Sequence, residues 1–568
     1  MSSKSLSRRE CIRFLGGSAA YFAVSGRAFP LPKTPTQRRP NIVFLVADDQ
    51  RFDTIHVLGN DVIQTPNLDV LVQDGTAFTQ AFASNPLCAS GLAAILTGCD
   101  GFRSKVRSAS DRMDPKLATW PQLLEKTGYL TRYIGRWCNG DRPEDHGFQQ
   151  VRFLCSDEPA SQMMKFEFGG KSVSGFSAEL FANSAIEMIK GGQPAPFLAC
   201  VAFTTPHGPR KADNRPEKFR NFYDPKAIPI PVNFVAEHPF DNGDLKSRDE
   251  QILPLPRTPA AVCAEIADYY AMISALDEQI GRILAALREA GLAENTIVIF
   301  TSDSGPALGQ HGLVGKESLY DHSLRVPLIL NGPGIPKGQR SDALCCLQDI
   351  HPTVCELIGI EVPEAVEGMS LAPVLAGKLE EAGDCVFASH KSAQRMIRTE
   401  DAKLIWYPQI DKMQLFDLAS DPFEVKDLSD DPKQADLLAD LCEELADWMK
   451  SVGDDAKPPK VKQVADAKAK PVQPATPTPQ TSRNVASQSG IKVNPSIGSG
   501  QGGSSSSSSN NRPNRQNNNP RRRSGGGGRR GGGGRGYNPR RQSVPRNPGS
   551  APRPGGSGQP GGGSPRTI

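Results

Sequence analysis

The chain has 568 residues and a formal net charge of +4, a near-neutral total that conceals a strong asymmetry. Residues 501–568 contain 13 Arg and no Lys, Asp or Glu, so residues 1–500 carry a net charge of −9. The length allows more than one domain and a large core. Twelve cysteines are too few for a disulfide-dense secreted scaffold, and no CxxC pair or zinc-ligand spacing occurs.

The first 30 residues have the pattern of an export signal. Arg8 and Arg9 stand in a twin-arginine-like motif, and a short apolar region at about 14–24 follows it. That region is too short to span a membrane, and the small residues Ser25, Gly26 and Ala28 fit a cleavage site. We therefore expect export to the periplasm or the extracellular space, with a disordered basic N-terminus as the alternative. No other stretch of the sequence is long and apolar enough for a transmembrane helix.

From 39 to 377 the sequence alternates strand-like and helix-like patterns, which predicts an α/β domain with a mostly parallel central sheet flanked by helices. The clearest predicted strands are 42–47, 197–203, 297–301 and 326–330. A long amphipathic helix is predicted over 260–289, with Gly291 as its stop signal.

A smaller C-terminal α+β subdomain is predicted at 380–452. It has strand-like segments near 397, 403–407 and 415–418, and it closes with a helix at about 432–452 whose apolar stripe predicts core packing. Residues 455–568 are rich in Pro, Gly, Ser and Arg and cannot bury enough apolar surface to fold alone, so we expect a disordered tail.

Acidic side chains follow two of the predicted strands. Asp48 and Asp49 end the first apolar run, and Asp303 follows the run at 296–300. Ligands bind beyond the carboxyl ends of strands in open α/β sheets, and clustered carboxylates suit a hard cation. Cys88 lies between them in sequence, before a short apolar helix, and is the candidate nucleophile. Taken alone, the paired aspartates could instead cap a helix or a turn, and Cys88 could be core.

Several motifs occur in a fixed order between 39 and 450, and together they resemble the type I sulfatases of the alkaline phosphatase superfamily. The motifs are Asn41-Ile-Val-Phe-Leu-Val-Ala-Asp-Asp-Gln50, Thr65-Pro-Asn-Leu-Asp69, the cysteine segment that ends Leu96-Thr-Gly98, Gly135-Arg-Trp137, Thr205-Pro-His-Gly-Pro209, Phe300-Thr-Ser-Asp-Ser-Gly305, Leu308-Gly-Gln-His-Gly312 with Lys316, and Arg325-Val-Pro327. Any one of these motifs is weak, but their joint order is specific for the fold.

The resemblance implies an alkaline-phosphatase-like fold and the hydrolysis of sulfate esters. In that family a cysteine is oxidised to formylglycine, whose hydrate attacks sulfur, and one calcium ion holds the nucleophile and the sulfate oxygens. By resemblance, Cys88 is the nucleophile position, His207 and Lys316 contact the sulfate, and Arg136 is a further catalytic position. The implied metal ligands are Asp48, Asp49, Cys88, Asp303 and Ser304.

The chain departs from the family pattern at five positions, all of them in the predicted site. The maturation signature Cys-x-Pro-x-Arg has Ser90 and Leu92 in place of Pro and Arg. The lysine and histidine of Gly-Lys-Trp-His are Arg136 and Cys138, and Ser304 replaces the asparagine after the last metal-binding aspartate. These changes predict poor conversion of Cys88 to formylglycine.

The sequence leaves three functions open. The first is calcium-dependent hydrolysis of sulfate esters on a sulfated glycan or a small ester, with activity reduced or lost. The second is binding of sulfated polysaccharide without turnover, and the third is hydrolysis of phosphate or phosphonate esters. The Arg-rich tail has two main interpretations: it binds an anionic polysaccharide, or it is inert and serves only to keep the protein soluble. Nucleic acid is disfavoured as a partner, because an exported protein is separated from the nucleic acid of the cell. The tail also offers only one aromatic residue, Tyr537, for stacking on bases.

Overall fold

The computed structural model describes residues 39–155, 161–168 and 171–460. The predicted signal at 1–30 and almost all of the predicted disordered tail lie outside the described residues. Within them the predicted fold class is confirmed, because a mixed, mostly parallel sheet with flanking helices carries a small antiparallel subdomain.

The central sheet has nine strands in the order β10-β2-β9-β8-β1-β7-β3-β4, with β11 also paired to β2. All neighbouring pairs are parallel except those made by β9, which runs antiparallel to β2 and to β8. Its strands are β1 (Asn41–Asp48), β2 (Thr76–Phe82), β3 (Leu130–Arg136), β4 (Gln150–Cys155), β7 (Phe197–Pro206), β8 (Thr296–Ser302), β9 (Arg325–Asn331), β10 (Gln339–Ser341) and β11 (Cys345–Cys346), while β5 (Met163–Phe168) and β6 (Lys171–Phe176) form a separate hairpin.

Both faces of the central sheet are covered, so strand β1 is apolar at successive positions rather than at alternate ones. Ile42 and Phe44 pack into one core cluster, and Val43 and Leu45 pack into the other on the opposite face. The α-helices are α1 (Pro66–Gln73), α2 (Cys88–Thr97), α3 (Gly101–Ser104), α4 (Trp120–Lys126), α5 (Ser177–Lys190), α6 (Pro259–Glu289), α7 (Asp321–Leu324), α8 (Ile350–Ile358), α9 (Ala372–Leu375) and α10 (Ala435–Ser451).

The C-terminal subdomain is a four-stranded antiparallel sheet with one helix against it. Its strands are β12 (Cys385–His390), β13 (Gln394–Thr399), β14 (Ala402–Tyr407) and β15 (Lys412–Asp417), paired in chain order. On β14, Leu404 and Trp406 join the cluster that contains α10, whereas Ile405 and Tyr407 join the core of the large sheet. The period of two therefore places this sheet between α10 and the main core.

The described chain continues past α10 and remains packed. Asp454 forms an ion pair with Arg395 on β13, with both side chains buried, and Trp406 donates a hydrogen bond from Nε1 to the carbonyl of Lys457. Residues just beyond the last helix therefore belong to the packed subdomain. Among the described residues, none of the helices combines the length and apolarity needed to cross a bilayer.

Candidate active site and metal centre

Four neighbouring parallel strands, β8-β1-β7-β3, end at one place and each delivers a polar side chain there. Asp48 is the last residue of β1, Arg136 the last of β3, and Asp303 and His207 follow β8 and β7. All four side chains are buried. The carboxyl edge of the sheet therefore builds the site, as the sequence predicted for the aspartates.

Asp49 turns the chain out of β1 and fixes the neighbouring carboxylate. Its φ of 69° lies in the left-handed region that few non-glycine residues adopt. Its backbone N–H donates to Asp303 Oδ1 at 3.0 Å, and the hydroxyl of Tyr269 on α6 donates to its carbonyl at 2.7 Å. These bonds hold the two aspartates from β1 and β8 in register.

Cys88 begins helix α2 and points into the carboxylate cluster. Its thiol donates to Asp48 Oδ1 at 3.2 Å, and Lys316 Nζ lies 3.0 Å from its sulfur. The helix approaches closely because position 91 is glycine: a Cβ there would lie 3.0 Å from the carbonyl oxygen of Asp303. The N-terminus of the ten-residue helix adds a favourable field for negative charge at residue 88.

Lys316 lies in the loop after β8 and connects the nucleophile position to the carboxylates. Its Nζ donates to Asp49 Oδ1 at 2.8 Å, and Ser304 Oγ donates to the same oxygen at 3.0 Å. Burial opposes the charged form, but Asp49 and Cys88 nevertheless raise the pKa of Lys316 well above its usual value. Lys316 is thus a fixed buried cation.

Arg136 supplies the second buried cation and forms an ion pair with Asp48. It lines a cavity of about 20 Å³ together with Cys88, Leu92 and Cys138. Three of the five positions at which the chain departs from the family pattern therefore surround one small space. Ser90, a fourth, is also buried and donates from Oγ to the carbonyl of Val106 at 2.8 Å.

His207 is fully buried beside Asp49, with Nε2 3.6 Å from Asp49 Oδ2. Its Nδ1 lies 2.8 Å from the carbonyl of Gly208, which can only accept, so Nδ1 carries the proton. Nε2 then faces Nη2 of Arg248 at 3.3 Å as an acceptor. Burial, followed by the nearby Lys316, lowers the pKa of His207 well below its usual value, so the ring is neutral at neutral pH.

The cluster fits a hard divalent cation. One ligand atom from each of Asp48, Asp49, Cys88 and Asp303 lies within 4.8 Å of the others. Burial and the adjacent Asp49 raise the pKa of Asp303. Arg136 and Lys316 pair with two of the three carboxylates, and carboxylate oxygens are the ligands that calcium prefers. The Ser304 hydroxyl, 3.4 Å from Asp303 Oδ1, offers a further neutral oxygen.

The structure thus brings all the predicted site residues into one cluster. Two histidines that flank Lys316 in sequence, His311 and His322, instead pack around the ring of Tyr320. They take no part in either of the residue groups that could hold a metal among the described positions, namely the cluster above and a second group of Asp49, His207 and Asp249.

Sequence reasoning missed three side chains that border the cluster. Arg210 lies 4.0 Å from Asp49 Oδ2, is paired with Glu265 and stacks over Tyr269. Arg248 contacts His207, and Asp249 pairs with Arg248. The stretch 210–258 is rich in Pro, Asp and Arg, and nothing in its sequence distinguishes these three charged residues from their neighbours.

Comparisons with known proteins agree with this geometry. Residues 40–360 match the family model described as Sulfatase, and residues 309–451 match the model described as N-sulphoglucosamine sulphohydrolase, C-terminal. The chain is 28% identical to an N-acetylglucosamine-6-O-sulfatase of Bacteroides thetaiotaomicron, over 74% of this chain and 88% of the relative. It is 27% identical to an arylsulfatase of Clostridium perfringens, over 69% of this chain and 90% of the relative.

Solved structures support the same fold. BT4656, solved with its substrate D-glucosamine-2-N,6-O-disulfate, superposes with a TM-score of 0.65 at 24% identity, covering 74% of this chain and 99% of that one. A phosphonate monoester hydrolase of Agrobacterium radiobacter superposes with a TM-score of 0.63 at 24% identity, covering 73% and 96%. Since the sulfatase model matches more than half of the chain and the strand-end cluster is in place, this protein belongs to the sulfatase family.

Proposed function

We propose that this protein is an exported, calcium-dependent sulfatase that hydrolyses sulfate esters of a sulfated glycan or a small ester. The observation that carries the proposal is the cluster of Asp48, Asp49 and Asp303 around Cys88. Lys316 contacts both Asp49 and Cys88, and so connects the carboxylates to the nucleophile position. A buried carboxylate cluster beside a nucleophile position is the arrangement that a metal-assisted ester hydrolase requires.

Asp48, Asp49 and Asp303, with Ser304 beside them, would hold the calcium ion. When bound, the cation supplies charge stabilisation for the sulfate oxygens and for the attacking oxygen. Conversion of Cys88 to formylglycine would supply that oxygen as a hydrated aldehyde, and the substitutions Ser90 and Leu92 make this conversion inefficient.

The chain's own residues supply the rest of an anion site. Lys316 holds a positive charge between Asp49 and residue 88. Arg136 is buried, and its Nε has no hydrogen-bond partner among the described residues, so it can donate to a sulfate oxygen without breaking a bond. Pre-placed cations of this kind stabilise the charge that develops on a transferring sulfuryl group. His207 forms one wall of the site, and its hydrogen bond to the carbonyl of Gly208 fixes the orientation of its ring.

The substrate class follows from the relatives. Those named above act on sulfated glucosamine derivatives and aryl sulfates, and another relative is an ulvan-active sulfatase of Formosa agariphila. A sulfated saccharide is therefore the first substrate to examine. Phosphonate esters are the second, because a phosphonate monoester hydrolase shares the fold.

A second candidate function is the binding of sulfated polysaccharide without turnover. The ion pair between Arg136 and Asp48 favours it, because this pair occupies one carboxylate of the predicted metal site. Cys138 favours it too, since a thiol replaces the proton-transferring histidine expected there. In this function the Arg-rich tail would add electrostatic affinity for the polyanion.

The test measures the release of inorganic sulfate from 6-O-sulfated glucosamine and from an aryl sulfate, beside the release of product from an aryl phosphonate. We expect sulfate release that Asp49→Ala and Cys88→Ala abolish and Cys263→Ser retains, since Cys263 lies apart, with its thiol on the carbonyl of Ile228. Binding of a sulfated oligosaccharide with no release would establish the second function. Faster turnover of the phosphonate would establish the third.

Export is proposed on the sequence pattern alone. Replacing Arg8 and Arg9 by lysine should retain the protein in the cytoplasm if the twin-arginine pattern directs its transport. Equal amounts of exported wild-type and variant protein would remove this part of the proposal.

A further inference from the structure

We propose that Cys88 and Cys138, in chains whose residue 88 has not been converted to formylglycine, form a reversible disulfide that closes the nucleophile position. This modification goes beyond sulfate ester hydrolysis. It needs neither a bound metal nor turnover, so it can be tested without any activity assay.

The two cysteines come from separate elements that meet at the site. Cys88 is the first residue of α2, and Cys138 follows the end of β3 by two residues. Both line the cavity of about 20 Å³ at the ends of β1 and β7. Both are free thiols in the structure, and both border the same confined space.

The small cavity confines the two thiols to one space. Its volume is close to that of a single water molecule. Leu92 closes one wall with an apolar side chain, while Asp48, Arg136 and Asp303 line the others. Cys99, the next cysteine after Cys88 in the chain, already donates from Sγ to the carbonyl of Ala365 at 3.2 Å. Cys138 is therefore the partner that the geometry gives to Cys88.

Exposure sets the order of the steps. Cys88 is 7% exposed, whereas Cys138 is only partly buried, so a reagent from solvent meets Cys138 first. A small-molecule disulfide is the oxidant: Cys138 displaces one of its thiols and forms a mixed disulfide. Cys88 then attacks the sulfur of Cys138 and displaces the second thiol. The protein loses two protons and two electrons, and the small disulfide is reduced to two thiols.

The bond would remove the group on which the site depends. Sγ of Cys88 could no longer donate to Asp48 or contact Lys316, and it could not be oxidised to formylglycine. A reducing agent would reverse all three effects. Cys138 stands where the family has a histidine, and in this proposal its thiol has a separate role as the disulfide partner of Cys88.

The experiment treats the full-length protein with oxidised glutathione and maps its tryptic peptides without reduction. We expect a linked pair of the peptides 52–103 and 137–152, with fragmentation that assigns the bond to Cys88 rather than Cys99, and with loss of the link on adding a thiol. Cys138→Ser should abolish the link and Cys263→Ser should retain it. Cys88→Ser should instead accumulate glutathione on Cys138, because the displacing thiol is gone.

Three results would overturn the inference. The first is that both thiols remain free in excess oxidised glutathione. The second is that Cys88 pairs with another cysteine. The third is that residue 88 of the wild-type protein is formylglycine throughout, so that the pair does not exist.

Discussion

Arg136 and Asp48 form a buried ion pair across the end of β7, the strand that separates β3 from β1. Lys316 pairs in the same way with Asp49 at 2.8 Å. Two of the three clustered carboxylates therefore already face a cation from the chain itself. A divalent cation must compete with Arg136 and Lys316 for these carboxylates. The affinity of the protein for the cation therefore reports how strongly the two side chains bind the carboxylates.

Replacing Arg136 by methionine should expose this competition. The metal-free variant should be less stable by about 3–5 kcal/mol, because a buried carboxylate loses its partner. Calcium should then restore more stability than it adds to the wild type, since the competing guanidinium is gone. Thermal unfolding of metal-stripped protein with and without calcium measures both effects.

Arg132→Met is the matched control, since Arg132 lies on the same strand, buried against Gln150. Equal calcium responses in the two variants would contradict the competition.

Substitution of Ser90→Pro together with Leu92→Arg should raise the conversion of Cys88 to formylglycine. Both changes restore elements of the family's maturation signature. Leu92 is 4% exposed and packs in the main core, so the variant should also be less stable. Co-expression with the maturation enzyme, followed by mass analysis of the peptide that contains residue 88, measures the conversion.

The control for that experiment is Ser90→Pro with Leu92→Met, which keeps the apolar character of position 92. We expect mostly unmodified thiol in the wild type and in this control. Near-complete conversion of the wild-type chain would show that Ser90 and Leu92 do not impair maturation.

Acid should destabilise the protein through the buried His311. Burial lowers the pKa of His311 to about 4, against about 6.5 in an unfolded chain. As the pH falls below about 6.5 the unfolded chain binds the proton first, so stability is lost down to about pH 4, by up to roughly 1.4 kcal/mol per pH unit. His311→Gln should make the free energy of unfolding less dependent on pH in this window. Urea unfolding at pH 7, 6 and 5 measures it, and identical slopes for wild type and variant would exclude the role of His311.

The position of a C-terminal truncation should decide its effect on stability. Truncation after Lys460 should leave the melting temperature within about a degree, because the packed residues are retained. Truncation after Gly453 removes Asp454 and leaves Arg395 buried without its carboxylate, which costs about 3–5 kcal/mol. Equal melting temperatures for the two truncations would contradict this role for the Arg395–Asp454 pair.

The same truncations test the proposed function of the tail. The 13 arginines of residues 501–568 attract anions over roughly 8 Å at physiological salt. The chain that ends at Lys460 should therefore elute earlier than the full-length protein from a sulfated-polysaccharide column, and salt should abolish the difference. Co-elution of the two at low salt would leave the tail with a role in solubility alone.

The sequence predicted the backbone of the site well because strand ends are marked locally. The predicted strand 42–47 is Asn41–Asp48 in the structure, and the predicted helix 260–289 is Pro259–Glu289. Apolar runs that end in aspartate fix where each chain segment leaves the sheet. The antiparallel direction of β9 was not predictable in this way, because an apolar run carries no sign of its direction.

Contacts between segments that are distant in the sequence could not be predicted from local patterns, for a different reason. The meeting of Leu92, Arg136 and Cys138 in one cavity depends on how closely α2 approaches the end of β3. The contact of Arg248 with His207 depends on the path of a long loop. Neither is specified by local periodicity or turn chemistry. The family resemblance places the first three positions in one site, whereas the Arg248 contact is seen only in the folded arrangement.

The central claim is that the carboxylate cluster is a calcium site, and the most direct measurement is a calcium titration of metal-stripped protein by calorimetry, paired with thermal unfolding. We predict one calcium bound per chain and a higher melting temperature, both abolished by Asp49→Ala and both retained by Asp74→Ala, which removes an exposed carboxylate outside the cluster. No heat of binding and no change in melting temperature for the stripped wild-type protein would contradict the claim.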